Sequence, residues 1–162
     1  GRWRLMATIR TATMDDIPQI MEMAKRFYPL SPYPAIYGDM PESQAAGLVI
    51  VALQGFAEAG IVSGVMLVAE HDGKLIGMLC AHIDPATFTP AVIAAELVWW
   101  MEPEFRGGMS AVRLVRAAED DARAKGATVF NMCILSTSPP EAAELLKMLG
   151  YAPSHTVVTK RL

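Results

Sequence analysis

The sequence predicts an α/β protein, with a central mixed, mostly antiparallel sheet of six to seven strands and helices on both faces. Two observations carry that expectation. Short apolar or β-branched runs alternate with longer stretches whose apolar residues recur at helical spacing, in the order βααβββαβαβ. Between two of the short runs lies His71-Asp72-Gly73-Lys74, whose Asp-Gly pair is a strong signal for a tight hairpin. With 162 residues the chain suits one domain, taken as 6–162. The opening Gly1-Arg2-Trp3-Arg4-Leu5 precedes Met6 and is set aside as an extraneous or disordered N-terminus.

Ala7 to Thr11 reads as a first strand. Thr13 then offers a hydroxyl cap, with Asp15 and Asp16 in the first turn, to a helix from about Asp15 to Phe27. Tyr28 to Pro41 is rich in proline and reads as a loop able to overhang a site. Glu42 to Ala59 reads as a second, largely buried helix. Val65–Ala69 and Leu75–Ile83 form the hairpin, and Asp84–Pro90 is a loop leading to a strand over Ala91–Met101. Arg106 to Lys125 is a long helix closed by Gly126. Thr128–Leu135 is a strand, Pro139–Leu149 a helix ended by Gly150, and Thr156–Lys160 a last strand.

Charge and composition narrow the function classes. A net charge of −3 with no Lys/Arg run leaves no electrostatic footprint for nucleic acid. The apolar stretch Ala45–Val68 is interrupted by Gln54, Glu58, Gly60 and Ser63, so no membrane span is expected. Cys80 and Cys133 both sit in apolar stretches with no metal-ligand spacing around them. They read as buried free thiols, and the reading is a cytoplasmic protein without a metal. The apolar content of 52% leaves room for a homodimer.

Chemistry concentrates between Glu96 and Arg116. A strand ends at Met101, a turn with Pro103 follows, and Arg106-Gly107-Gly108 opens the long helix. Glycines at a helix start let unpaired backbone N–H groups approach an anion closely, and the helix dipole adds to the attraction. Arg106 supplies a mobile charge for the same anion. A plain glycine-rich turn with a solvated Arg106 is the other reading. Glu96 is the one acid within an apolar strand; burial raises a carboxylate's pKa, which suits a general base near neutral pH. An edge-facing or arginine-bridged glutamate is the alternative. Trp99 and Trp100 must point to opposite faces, one under the long helix and one either in a cleft or in the core. His71, His82 and His155 form no catalytic or metal constellation.

The order of elements and this segment resemble the GNAT superfamily of acetyl-CoA-dependent N-acetyltransferases. That family's signature runs Arg or Gln, two free positions, Gly, one free position, Gly or Ala, after a strand and a Pro-containing turn. Arg106 matches its first position and Ala111 its last. Met109 stands where the family has Gly, and Gly107 and Gly108 are expected to supply the close approach in a shifted register. Glu144-Leu-Leu-Lys-Met-Leu-Gly-Tyr151 resembles the family's late helix with its Gly-aromatic ending, and Ile9–Asp16 its opening.

The resemblance implies an acyl-CoA N-acyltransferase-like fold with acetyl-CoA in a V-shaped opening between the fourth and fifth strands. It places pyrophosphate on the backbone of Arg106, Gly107, Gly108, Met109, Ser110 and Ala111. It places pantetheine along the backbone of Val98, Trp99, Trp100 and Met101, like an added strand. The activity it implies is direct transfer of an acetyl group to an amine of a small molecule or peptide. Glu96 would take the proton and strand amides would polarise the carbonyl. Ser136, at the mouth of the fifth strand, is a second catalytic candidate. The family's usual late-helix Tyr falls on Leu146. Tyr33, Tyr37 and Phe88, from the two loops, are candidate liners of the acceptor pocket. A non-catalytic CoA-binding or protein-interaction module is the alternative, motivated by Met109 and Leu146.

Overall fold

The computed structural model describes residues 6–162; Gly1–Leu5, set aside above, lie outside them. Five strands make one sheet in the order β1-β2-β3-β4-β5. They are β1 (Thr8–Thr11), β2 (Val65–His71), β3 (Lys74–Pro85), β4 (Val92–Met101) and β5 (Val129–Asn131). The first four are antiparallel neighbours and β5 runs parallel to β4, so the sheet is mixed and mostly antiparallel, as expected.

The helices are α1 (Ile17–Phe27), α2 (Tyr33–Tyr37), α3 (Glu42–Gln54), α4 (Met109–Ala124) and α5 (Pro140–Met148). They cover both faces. On one, α4 lays Leu114, Val115, Ala118 and Ala122 against Leu67, Ile76 and Leu79, with Leu145 and Leu149 of the α5 region alongside. On the other, Ile20 and Met23 of α1 and Val49 and Ala52 of α3 pack on Met66, Val68, Met78 and Trp100. Each helix buries one stripe because its apolar residues recur every three or four positions.

Short-range chemistry fixes the joints. Asp72 and Gly73 both take positive φ, 49° and 74°, as a tight turn between right-twisted strands requires. The Asp16 carboxylate accepts the Thr13 N–H at 2.7 Å and both terminal nitrogens of Arg10, at 2.7 and 2.9 Å. Those bonds lock the start of α1 onto β1. The Arg10 guanidinium holds the Asp16 carboxyl below its ordinary range.

The structure corrects several expectations. Against the six to seven strands expected, the described residues form five. Thr156–Lys160 is not a strand, and Val157 and Val158 are 79% and 90% exposed. β-Branched residues favour a strand through packing with neighbours, and here the segment has none. The fifth strand is Val129–Asn131 rather than Thr128–Leu135. The second long helix stops at Gln54, because Gly55 turns to φ +70° and its N–H is used by the Val51 carbonyl. The proline-rich loop contains the short helix α2, ended by Gly38 at φ +86°. The long helix begins at Met109 rather than Arg106.

Leu114 is fully buried between α4 and the sheet. Leu114→Ala is expected to lower the unfolding free energy by about 2–5 kcal/mol with an unchanged m-value, measured by urea denaturation.

Candidate active site

β4 and β5 pair only from Ile93↔Val129 to Ala95↔Asn131, and beyond that point β5 leaves the sheet. The next β5-side donor, the Cys133 N–H, is satisfied by a side chain: it donates to Oε2 of Glu96 at 3.0 Å. Glu96 thus bridges the two diverging strands at the point where the ladder stops. Past it, the β4 backbone has no ladder partner on that side.

A cavity of about 550 Å³ fills the split. Glu96 and Cys133 lie at its inner end, Trp99, Trp100 and Met101 along β4, and Arg106, Gly107 and Ala111 toward the start of α4. The carboxyl of Glu96 is pushed up to about 7, because burial disfavours the charged form more than the Cys133 N–H stabilises it. Burial, with the nearby Glu96 charge, also pushes the Cys133 thiol up.

The start of α4 carries no side-chain cap and no acid in its first turn. Its first N–H groups are therefore free of helical partners and of a competing carboxylate. Gly107 turns at φ +79°, and around both Gly107 and Gly108 the space a side chain would occupy is open. Arg106 folds back: its Nε donates to the Met101 carbonyl at 2.8 Å, and its guanidinium carbon lies 4.6 Å from the centre of the Trp100 ring. Met109 is 62% exposed and is not in the cavity wall. Ser110 is buried, and its hydroxyl accepts the Ala7 N–H at 3.3 Å, so only its backbone faces the helix start.

β4 also carries a bulge. Cys80 pairs with Val98 but Ala81 pairs with Glu96, leaving Leu97 as the extra residue. Leu97 and Val98 consequently both pack on the α1/α3 side, while Trp99 packs on the α4 side. A second cavity of about 600 Å³ lies there, between α1, α2, α3 and the sheet, with Leu97 and Val98 in its wall. Phe27 borders both cavities; its ring meets Tyr33 and Trp100 edge-on at centroid distances of 6.3 and 6.0 Å.

Most of the residues singled out in the sequence therefore come together, with exceptions. Tyr33 and Tyr37 line the second cavity, but Phe88 is 96% exposed in the β3–β4 loop and lines neither. Ser136 is exposed and outside both walls, whereas its neighbours Thr137 and Ser138 line the first. Val98 presents its side chain to the second cavity. Cys133, read as buried, is exposed as a residue, with its thiol only partly screened from water; Cys80 is the fully buried thiol. Leu146 is a core residue at 4% exposure. Sequence reasoning missed Phe27, which looks like any core aromatic of α1, and Cys133, whose contribution is a backbone N–H. Among the described residues no group of His, Cys, Asp or Glu could hold a metal ion, and no helix is long and apolar enough to cross a membrane.

A profile of the acetyltransferase (GNAT) family matches residues 18–151. The chain belongs to that family. No curated protein sequence matches significantly. Solved GNAT structures superpose over nearly the whole chain. A ribosomal-protein-alanine N-acetyltransferase from Brucella melitensis biovar Abortus 2308 is 15% identical at a TM-score of 0.70, covering 96% of this chain and 99% of its own. A predicted acetyltransferase from Clostridium acetobutylicum, with acetyl-CoA, is 16% identical at 0.70, covering 96% of each. An aminoglycoside N-acetyltransferase, AAC(6')-Iy in complex with CoA, is 20% identical at 0.69, covering 96% of this chain and 94% of its own. At these identities the likeness is one of fold.

The two thiols give a simple check on the geometry. In the folded protein a thiol reagent is expected to modify Cys133 and leave Cys80, whose thiol burial pushes up to about 12, untouched until denaturant is added. Rapid titration of both thiols without denaturant would contradict it.

Proposed function

We propose that this GNAT protein transfers an acetyl group from acetyl-CoA directly to an amine, with Glu96 as general base. The observation that carries the reading is Glu96 itself. Its carboxyl, held by the Cys133 N–H and with a pKa near 7, stands at the inner end of a cavity whose other end is the open start of α4.

The residues present fit acetyl-CoA. The free N–H groups at the start of α4, reached through Gly107 and Gly108, suit a pyrophosphate. The β4 backbone from Val98 to Met101, paired with β3 but without a partner on the β5 side among the described residues, suits an extended chain that pairs like a strand. Bound there, acetyl-CoA supplies the activated acyl group as a thioester. Glu96 then accepts a proton from the incoming ammonium, directly or through water. Strand amides near the bulge are the groups available to polarise the carbonyl. Arg106, held against Trp100 and Met101, lines the route toward the phosphate end and adds positive charge. No tyrosine lines the first cavity among the described residues. A thiolate leaving group, with a free pKa of about 8.5, is good enough to depart with little acid assistance.

With a base titrating at about 7, kcat/KM is expected to rise with pH and level off above neutrality. Glu96→Gln is expected to cost at least about a hundred-fold in turnover, remove that ascending limb and keep acetyl-CoA affinity within a few-fold by calorimetry. Full activity in the variant contradicts the assignment; folded protein that binds no acetyl-CoA at 1 mM, on the order of weak millimolar affinity, removes the enzyme reading altogether.

The same carboxyl should mark stability. Its folded pKa is raised from 4.5 to about 7, so the fold binds its proton more tightly than the unfolded chain does. That preference stabilises fully below pH 4.5 and is lost as the pH rises through 7. Glu96→Gln is therefore expected to be more stable than the parent at pH 8, by about 1–3 kcal/mol, and to lose that advantage by pH 4. A difference that does not change with pH would contradict the raised pKa.

A further inference from the structure

We infer that the acceptor is a single amine carried on an apolar or aromatic body, which seats in the cavity between α1, α2, α3 and the sheet with its nitrogen toward Glu96. This rests on the transferase reading above and specifies its second substrate.

The two cavities adjoin at the β4 bulge and at Phe27, which borders both. Glu96 faces the first, while the next two residues, Leu97 and Val98, form wall in the second. In the proposed complex the acceptor, seated in the second cavity, extends its nitrogen past Leu97 and the Phe27 ring to the carboxyl. Tyr33 lines the second cavity and packs edge-on against Phe27. Burial, together with the nearby Glu96 charge, pushes the Tyr33 hydroxyl pKa up.

The walls of the second cavity define what fits. The sheet contributes Met66, Met78 and Cys80, and the helices add Met21, Leu48 and Val49. Three tyrosine rings, of Tyr28, Tyr33 and Tyr37, stand together with centroids 6.2 and 5.8 Å apart. The Tyr28 hydroxyl is already committed, donating to the Gly38 carbonyl at 2.7 Å, so that residue presents chiefly its ring. Among the described lining residues Asp39, exposed at the rim, is the one acid, and there is no Lys, Arg or His.

This wall suits an apolar body and rejects polycations. An aminoglycoside or polyamine would bring several ammonium groups into a space with one peripheral carboxylate, and each unpaired ammonium taken from water is costly. A peptide would bring backbone donors and acceptors that this wall cannot satisfy. One ammonium, by contrast, is met by Glu96, and the rest of the molecule gains from burial. A volume of about 600 Å³ is that of a small-molecule site.

The test is acetyl-CoA turnover with butylamine, hexylamine, octylamine and 2-phenylethylamine against spermidine, an aminoglycoside and an alanyl tripeptide. Along the alkyl series kcat/KM is expected to rise about four-fold per methylene, and the polycations and the peptide to fall at least about a hundred-fold below octylamine. Leu48→Lys places a like charge on the half-exposed wall of α3, where the fold tolerates it. It is expected to cut octylamine kcat/KM at least about ten-fold with the acetyl-CoA Kd unchanged. A flat chain-length series, or highest turnover with spermidine, the aminoglycoside or the tripeptide, overturns the acceptor class and leaves the transferase reading standing. Absence of turnover with every amine, acetyl-CoA being bound, overturns both.

Discussion

The hydrogen bond from the Cys133 N–H to Glu96 is the point on which the site depends. A parallel pair of strands that separates must leave backbone groups without partners, and a buried unpaired N–H costs about as much as a lost hydrogen bond. Here the first orphan is taken by a carboxylate from the opposite strand. That one contact does several things. It ends the ladder at a defined residue and holds the split open on the far side. It also fixes the carboxyl where burial raises its pKa but one N–H limits the rise. Without it, β5 could either zip further along β4, closing the cavity, or leave Glu96 to swing toward water.

The bulge at Leu97 adds the second constraint. In a regular strand Glu96 and Val98 would share a face. The extra residue breaks that alternation, so Val98 joins Leu97 in the wall of the second cavity while Glu96 lines the first. Phe27, Tyr33 and Trp100, in edge-on contact, form the partition. In the proposed reading, a donor approaching from the start of α4 and an acceptor approaching from α2 and α3 meet at one carboxylate without competing for the same space.

Much of this was legible in the sequence where the cause is local. The Asp72-Gly73 turn, the glycines before α4, Gly126 after it and the lone acid of β4 each follow from the conformational or solvation preference of the residues themselves. What was not legible is set by partners far along the chain. Thr156–Lys160 has the composition of a strand, yet nothing pairs with it. Leu97 gives no sign of being a bulge, because the signal is a mismatch with β3. The Cys133 side chain drew attention to a thiol, whereas its N–H is what holds Glu96. Ser136 and Phe88 have suitable chemistry and position in the sequence, yet both lie outside the walls, and Thr137 and Ser138, one and two positions beyond Ser136, line the cavity.

The central claim is that Glu96 is a carboxyl poised to exchange a proton near neutrality. Its side-chain carboxyl carbon, labelled with carbon-13 and assigned by comparison with Glu96→Gln, can be titrated by NMR in the folded protein. The account predicts a midpoint at about 7. A midpoint near the ordinary glutamate value of about 4.3 would contradict it, because the group would then be ionised and solvated across the working range and its strand-bridging geometry would carry no catalytic consequence.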